Sequence, residues 1–81
     1  MSIRGDITQR LVLILRNRGN SVAGIARLCD VSPPTVLAWM EGQGAWAKSI
    51  VKLADLTGES LPKEFTLLMV ASGESLDKSR H

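Results

Sequence analysis

Side chains able to carry covalent or acid–base chemistry are scarce in these 81 residues, and they do not cluster. The single cysteine, Cys29, rules out an internal disulfide, and one cysteine with one histidine (His81, the last residue) cannot form a Cys/His zinc cluster. No pair of carboxylates, no histidine in the body of the chain and no glycine-rich phosphate loop is present, so enzymatic function ranks last and no cofactor or metal is expected. What remains is charge. Residues 1–27 hold Arg4, Arg10, Arg16, Arg18 and Arg27 against Asp6, a balance of +4, while the rest of the chain carries −2 within an overall +2. A basic end and a mildly acidic remainder suit contact with a polyanion on one face.

Those groups must be positioned by a small fold. With 44% hydrophobic and 22% charged residues the composition is globular, and the length allows one domain, expected over residues 1–71, followed by a flexible tail at 72–81. No apolar run, Leu11 to Leu15 included, exceeds five residues, far short of the ~20 that span a bilayer. The opening residues do not read as a signal peptide, and a soluble, cytoplasmic domain without membrane contact is the expectation. So small a core is marginal by itself, which points to pairing with a second copy.

Every strong periodicity is helical, and the expected fold class is all-α, a compact domain of five short helices. Asp6-Ile7-Thr8-Gln9 matches a capping box, with Ile7, Leu11, Ile14 and Leu15 as the inward stripe and Gly19 as the stop. A second helix starts at Asn20 or Ser21 and runs to about Cys29, placing Val22, Ile25, Ala26 and Cys29 on one side. After a break at Asp30-Val31, Ser32 caps a third helix with Pro33 at its first position; it carries Val36, Trp39 and Met40 and ends at Gly42. A fourth runs from Ala45 or Trp46 to Thr57, burying Ile50, Leu53, Ala54 and Leu56, with Gly58 as its stop. A fifth opens around Ser60 to Pro62 and carries Phe65, Leu68 and Met69, with Leu61 and Val70 nearby.

Ser21 to Gly42 is the informative stretch. Two short helices joined by a tight turn cross steeply and need a small residue at the crossing. Ala26 supplies it, and Ala26, Val31 and Val36 fall five apart through the turn. In Ile25-Ala26-Arg27, Val31-Ser32-Pro33, Thr35-Val36, Trp39 and Gly42, followed by Lys52-Leu53-Ala54, Leu56 and Gly58, residues 21–61 resemble the Cro/C1-type (lambda-repressor-like) helix-turn-helix family of phage and bacterial regulators. The resemblance implies a lambda-repressor-like five-helix domain whose helices 2 and 3 form the motif. It also implies a DNA-binding transcriptional regulator of repressor type, acting as a homodimer on double-stranded operator DNA. The helix at 32–42 would enter the major groove, with Ser32, Pro34, Thr35, Leu37, Ala38 and Glu41 facing the bases. Phosphates would meet Ser21, Arg16, Arg27, Gln43 and Lys48, with the amino ends near Ser21 and near Trp46 and Ala47 contributing backbone N–H groups.

The chain departs from the family at several of these places. Asp30 stands where glycine is usual, Val22 replaces a polar residue, and no Lys or Arg occurs between Arg27 and Lys48. Only Ser32 and Thr35 can hydrogen-bond usefully to bases, and Pro34, Leu37 and Ala38 can meet thymine methyls. The expectation is therefore modest affinity, specificity from methyl contacts and DNA shape, and a shallow salt dependence. The alternative is a protein-interaction module, or an antitoxin, on the same fold, docking a protein partner through Pro33, Pro34, Leu37, Ala38 and Met40. Leu61, Phe65, Leu68 and Met69 form the expected dimer seam, with packing against the first helix as the alternative. Trp39 is expected in the core; so is Trp46, with an exposed interface anchor as the other option.

Overall fold

A computed structural model describes residues 2–71, and side chains through Leu67. It holds five helices, α1 (Ile3–Asn17), α2 (Val22–Cys29), α3 (Pro33–Met40), α4 (Ala47–Thr57) and α5 (Lys63–Ala71), with no strand among the described residues. The fold is all-α, as the periodicities require. The expected tail at 72–81 lies outside the described residues.

Helix α1 begins a turn earlier than the Asp6 box implies. Ser2 is its cap, its Oγ accepting the Gly5 N–H at 2.9 Å, and Asp6 falls in the first turn. The carboxylate there still suits the positive end of the helix dipole. The buried face also differs from the expected stripe. It comprises Ile7, Thr8, Leu11, Val12 and Leu15, while Ile14 is only half-buried. Thr8 concealed this register because a hydroxyl sits in the middle of an apolar face.

The later boundaries follow local capping chemistry. Ser21 caps α2, accepting the Gly24 N–H at 3.0 Å. Ser32 precedes α3 in an extended conformation, with Pro33 and Pro34 as the first two helical residues. Helix α1 packs on α3 and α4, and α2 packs on α3. Val12, Ile25, Val36, Ile50, Leu53 and Phe65 form the dry centre, ringed by Leu11, Leu15, Ala26, Trp39 and Ala54.

Phe65 was expected at a dimer seam, but it is 0% exposed within the single chain. Its ring closes the core beneath α5, and Leu61 packs half-buried against the same cluster. These two side chains complete the protomer's own interior, which takes Phe65 out of any seam. The side chains of Leu68 and Met69 lie outside the described set.

Arginines hold the helix ends together. Arg18 reaches from the end of α1 to the Thr57 carbonyl (2.9 Å) and the Leu56 carbonyl (3.5 Å), covering acceptors left open at the end of α4. Arg10 pairs with Glu59 at 2.8 Å on the surface, a contact of about 0–1 kcal/mol. The basic amino-terminal segment is thus partly engaged inside the molecule, and its charge count overstates what is available to a polyanion.

Candidate nucleic-acid interface

The break between α2 and α3 rests on one left-handed residue. Asp30 has φ 58° and ψ 47°, the only non-glycine with positive φ among the described residues. Asp reaches this region more readily than most residues, so it holds a left-handed turn that glycine most often makes. The Val31 N–H then donates back to the Ala26 carbonyl at 2.9 Å and the Asp30 N–H to the Arg27 carbonyl at 3.3 Å. This is the paired closure that ends many helices at a left-handed residue. It turns Val31 against the core, and Ala26 is buried at the start of the reversal.

Helix α3 is consequently divided into two faces. Val36 and Trp39 point inward, Trp39 with 3% of its surface accessible. Ser32, Pro34, Leu37 and Glu41 are exposed, and Thr35 and Ala38 are half-buried. All six base-facing candidates therefore reach the surface. Leu37 is 50% exposed. Ser32 Oγ lies 2.9 Å from Thr35 Oγ1, so the two hydroxyls pair with each other and share one hydrogen along the helix edge. Ser32 makes no side-chain cap bond to α3. Met40, a member of the alternative docking face, is half-buried and packs against the core, so it leaves that face.

The phosphate candidates divide. Ser21 and Arg16 are neighbours across the α1–α2 turn, because the Arg16 guanidinium donates to the Asn20 carbonyl at 2.9 Å. Gln43 lies beside the last turn of α3, its N–H donating to the Ala38 carbonyl at 3.0 Å. Arg27 on α2 and Lys48 on the first turn of α4 are exposed.

A second construction escapes sequence reasoning. The α3–α4 loop is clamped by α1. Gln9 Nε2 donates to the Met40 carbonyl at 2.7 Å, the Ala45 N–H donates to Thr8 Oγ1 at 3.1 Å, and an Arg4 guanidinium N–H donates to the Ala45 carbonyl at 3.2 Å. Thr8 Oγ1 in turn donates to the Arg4 carbonyl at 2.8 Å. Gly5 lies so close beneath the loop that a Cβ there would overlap the Gly42 carbonyl oxygen. Gly42 itself turns with φ 104°, a conformation suited to glycine. Signals for the clamp were present: a glycine in the first turn of a helix and a threonine within an apolar stripe. The clamp's hydrogen bonds to the loop span 31 to 41 residues, beyond any local pattern.

The clamp delivers Trp46 to the surface. Ala45 and Ala47 on either side are buried, whereas Trp46 is 71% exposed. The expectation of a core tryptophan at 46 is therefore corrected. Cys29 is half-buried, and burial pushes its thiol up while the nearby Lys52 ammonium opposes the shift. Such a thiol stays protonated at neutral pH and makes a poor nucleophile. No helix among the described residues is long and apolar enough to cross a membrane. Comparison of the chain with protein-family models, with curated proteins and with solved structures gives no significant match.

Proposed function

We propose that this chain is a DNA-binding regulator of transcription that lays α3 in the major groove and acts as a homodimer on operator DNA. The observation that supports this reading best is the outward row of Ser32, Pro34, Thr35, Leu37, Ala38 and Glu41. They lie on a short helix set apart from α2 by the left-handed turn at Asp30. Arg27, Gln43 and Lys48 are exposed around it and supply phosphate partners on the elements before and after α3. With few cations near that helix, affinity per protomer is modest, and dimer spacing contributes much of the specificity. Occupancy of the operator would itself regulate the promoter, with no chemical step, and a cytoplasmic location goes with the role.

The test is binding to random-sequence duplex DNA at low and moderate salt. Binding that weakens with salt, along a shallow slope, is expected. The double variant Thr35→Ala, Lys48→Ala should lose most of it. Absence of binding at low salt would overturn the reading. Dimerisation is checked by sedimentation: among the described side chains of α5, Leu67 is 63% exposed, and Leu67→Asp should raise the dissociation constant.

The exposure of Leu37 favours a second reading, a protein-interaction module or antitoxin that docks a partner through Pro34, Leu37 and Ala38. Under it, Leu37→Asp abolishes partner binding while DNA binding is absent from the outset.

A further inference from the structure

The outer edge of α3 carries one carboxylate that the fold does not ask for. Pro34, Leu37 and Glu41 are exposed and lie three and four residues apart, which makes them a single solvent-facing stripe. Glu41 is the carboxyl-terminal cap of this helix, and no basic residue lies in the last turn. A negative group there meets the negative end of the helix dipole, which costs stability instead of adding it. No hydrogen bond or ion pair holds the carboxylate among the described residues. Its backbone is nevertheless fixed. The Glu41 N–H donates to the Leu37 and Ala38 carbonyls at 3.2 and 3.1 Å, Gln9 holds the Met40 carbonyl, and the Gly42 carbonyl rests over Gly5. The clamp from α1 thus steadies a bare acceptor one turn from Leu37, which is 50% exposed.

An apolar side chain beside an acceptor-only group matches one base edge. In the major groove guanine offers two acceptors, and thymine an acceptor next to its methyl; a carboxylate repels both. Adenine sets its amino donor beside an acceptor and has no methyl for Leu37 to cover. Cytosine offers an amino donor alone, and a methyl at C5, where the base carries one, lies next to that donor. We propose that Leu37 and Glu41 read 5-methylcytosine in duplex DNA, Leu37 covering the C5 methyl and Glu41 accepting an N4 hydrogen. This assignment rests on the DNA-binding reading above and names the base that its outward face would take. It departs from simple contact with thymine methyls, because Glu41 turns thymine O4 away.

Three pools of a labelled random-sequence duplex test it: one with ordinary cytosine, one with 5-methylcytosine throughout, and one with uracil in place of thymine. Anisotropy at low salt gives the affinities of the full chain and of its L37A and E41Q variants, and thermal melts check folding. The parent should bind the methylated pool about fourfold more tightly than the ordinary one, the worth of one buried methyl. Uracil should leave its affinity nearly unchanged. Leu37→Ala should melt close to the parent and lose the preference for methylated cytosine. Glu41→Gln should melt at or above the parent, because it removes the charge from the helix end. Its amide can also donate to thymine O4, so uracil should weaken binding in this variant.

Equal affinity of the parent for the methylated and ordinary pools, or a methyl preference that survives Leu37→Ala, would overturn the proposal and leave the DNA-binding reading standing. A comparable loss of parent affinity on uracil would assign the methyl contact to thymine and likewise overturn it. Failure of the parent chain to bind any of the pools would sink both.

Discussion

Trp39 and Trp46 lie seven residues apart and meet opposite fates: one is sealed under α3, the other stands in solvent at the head of α4. The difference comes from what sets each backbone. Trp39 sits three residues after Val36 on a regular helix, so the helical period alone carries it inward. Trp46 follows an irregular loop whose path is dictated by Arg4, Gly5, Thr8 and Gln9 on a distant helix. Residue type predicted the first fate and misjudged the second. A large apolar side chain goes to the interior only if the local backbone can aim it there, and at residue 46 the clamp buries both neighbours instead.

The strongest way to sharpen the contrast is to truncate the buried ring. Trp39→Ala should cost about 3–5 kcal/mol, enough to unfold much of so small a domain, and urea denaturation followed by circular dichroism would show it. Trp46→Ala should move the same midpoint by less than about 0.5 kcal/mol. Comparable losses in the two variants would erase the distinction between the sites.

The clamp can be attacked next. Gly5→Ala pushes a methyl group toward the Gly42 carbonyl and should destabilise by about 1–3 kcal/mol. An unchanged melting temperature would mean that the loop yields at no cost. Thr8→Val keeps the volume but leaves the buried Ala45 N–H without its acceptor, at a cost of about 1–3 kcal/mol. In this variant, amide exchange at Ala45 should accelerate more than at Ile50, and uniform acceleration would argue against a local role.

The smallest effect belongs to the α2–α3 turn. Asp30→Gly relieves a side chain held at φ 58°, while the added freedom of the unfolded chain offsets part of the gain. The net change should be a stabilisation below about 1 kcal/mol, read from thermal melts. A clear loss would show that the carboxylate does more than tolerate the turn.

Much of the architecture was legible because helix ends are local events. Ser21, Ser32 with Pro33, and Gly58 each mark a boundary through chemistry confined to three or four residues. Helix α1 was misread at both levels: Ser2 rather than Asp6 caps it, and Thr8 rather than Ile14 belongs to its buried face. The outward positions around α3 came from the resemblance, and each of them is exposed or half-buried. Met40 is read both as an apolar position of its helix and as part of an alternative docking face, and Phe65 as either a dimer seam or internal packing; the chain uses both to complete its core. Short chains have few apolar groups to spare, and a terminal helix claims its aromatic ring before any partner can. The fate of the arginines was equally illegible, since Arg10 and Arg18 find their partners across the fold.

One consequence of the paired prolines remains. Pro33 and Pro34 occupy the first two positions of α3, and neither has an amide hydrogen. The leading tip of this helix therefore cannot grasp an anion in the way most helix starts do. Under the proposed DNA-binding reading, such a tip would have nothing to snag on the charged rails bordering the groove; its hydroxyls and methyls would have to find purchase on the floor.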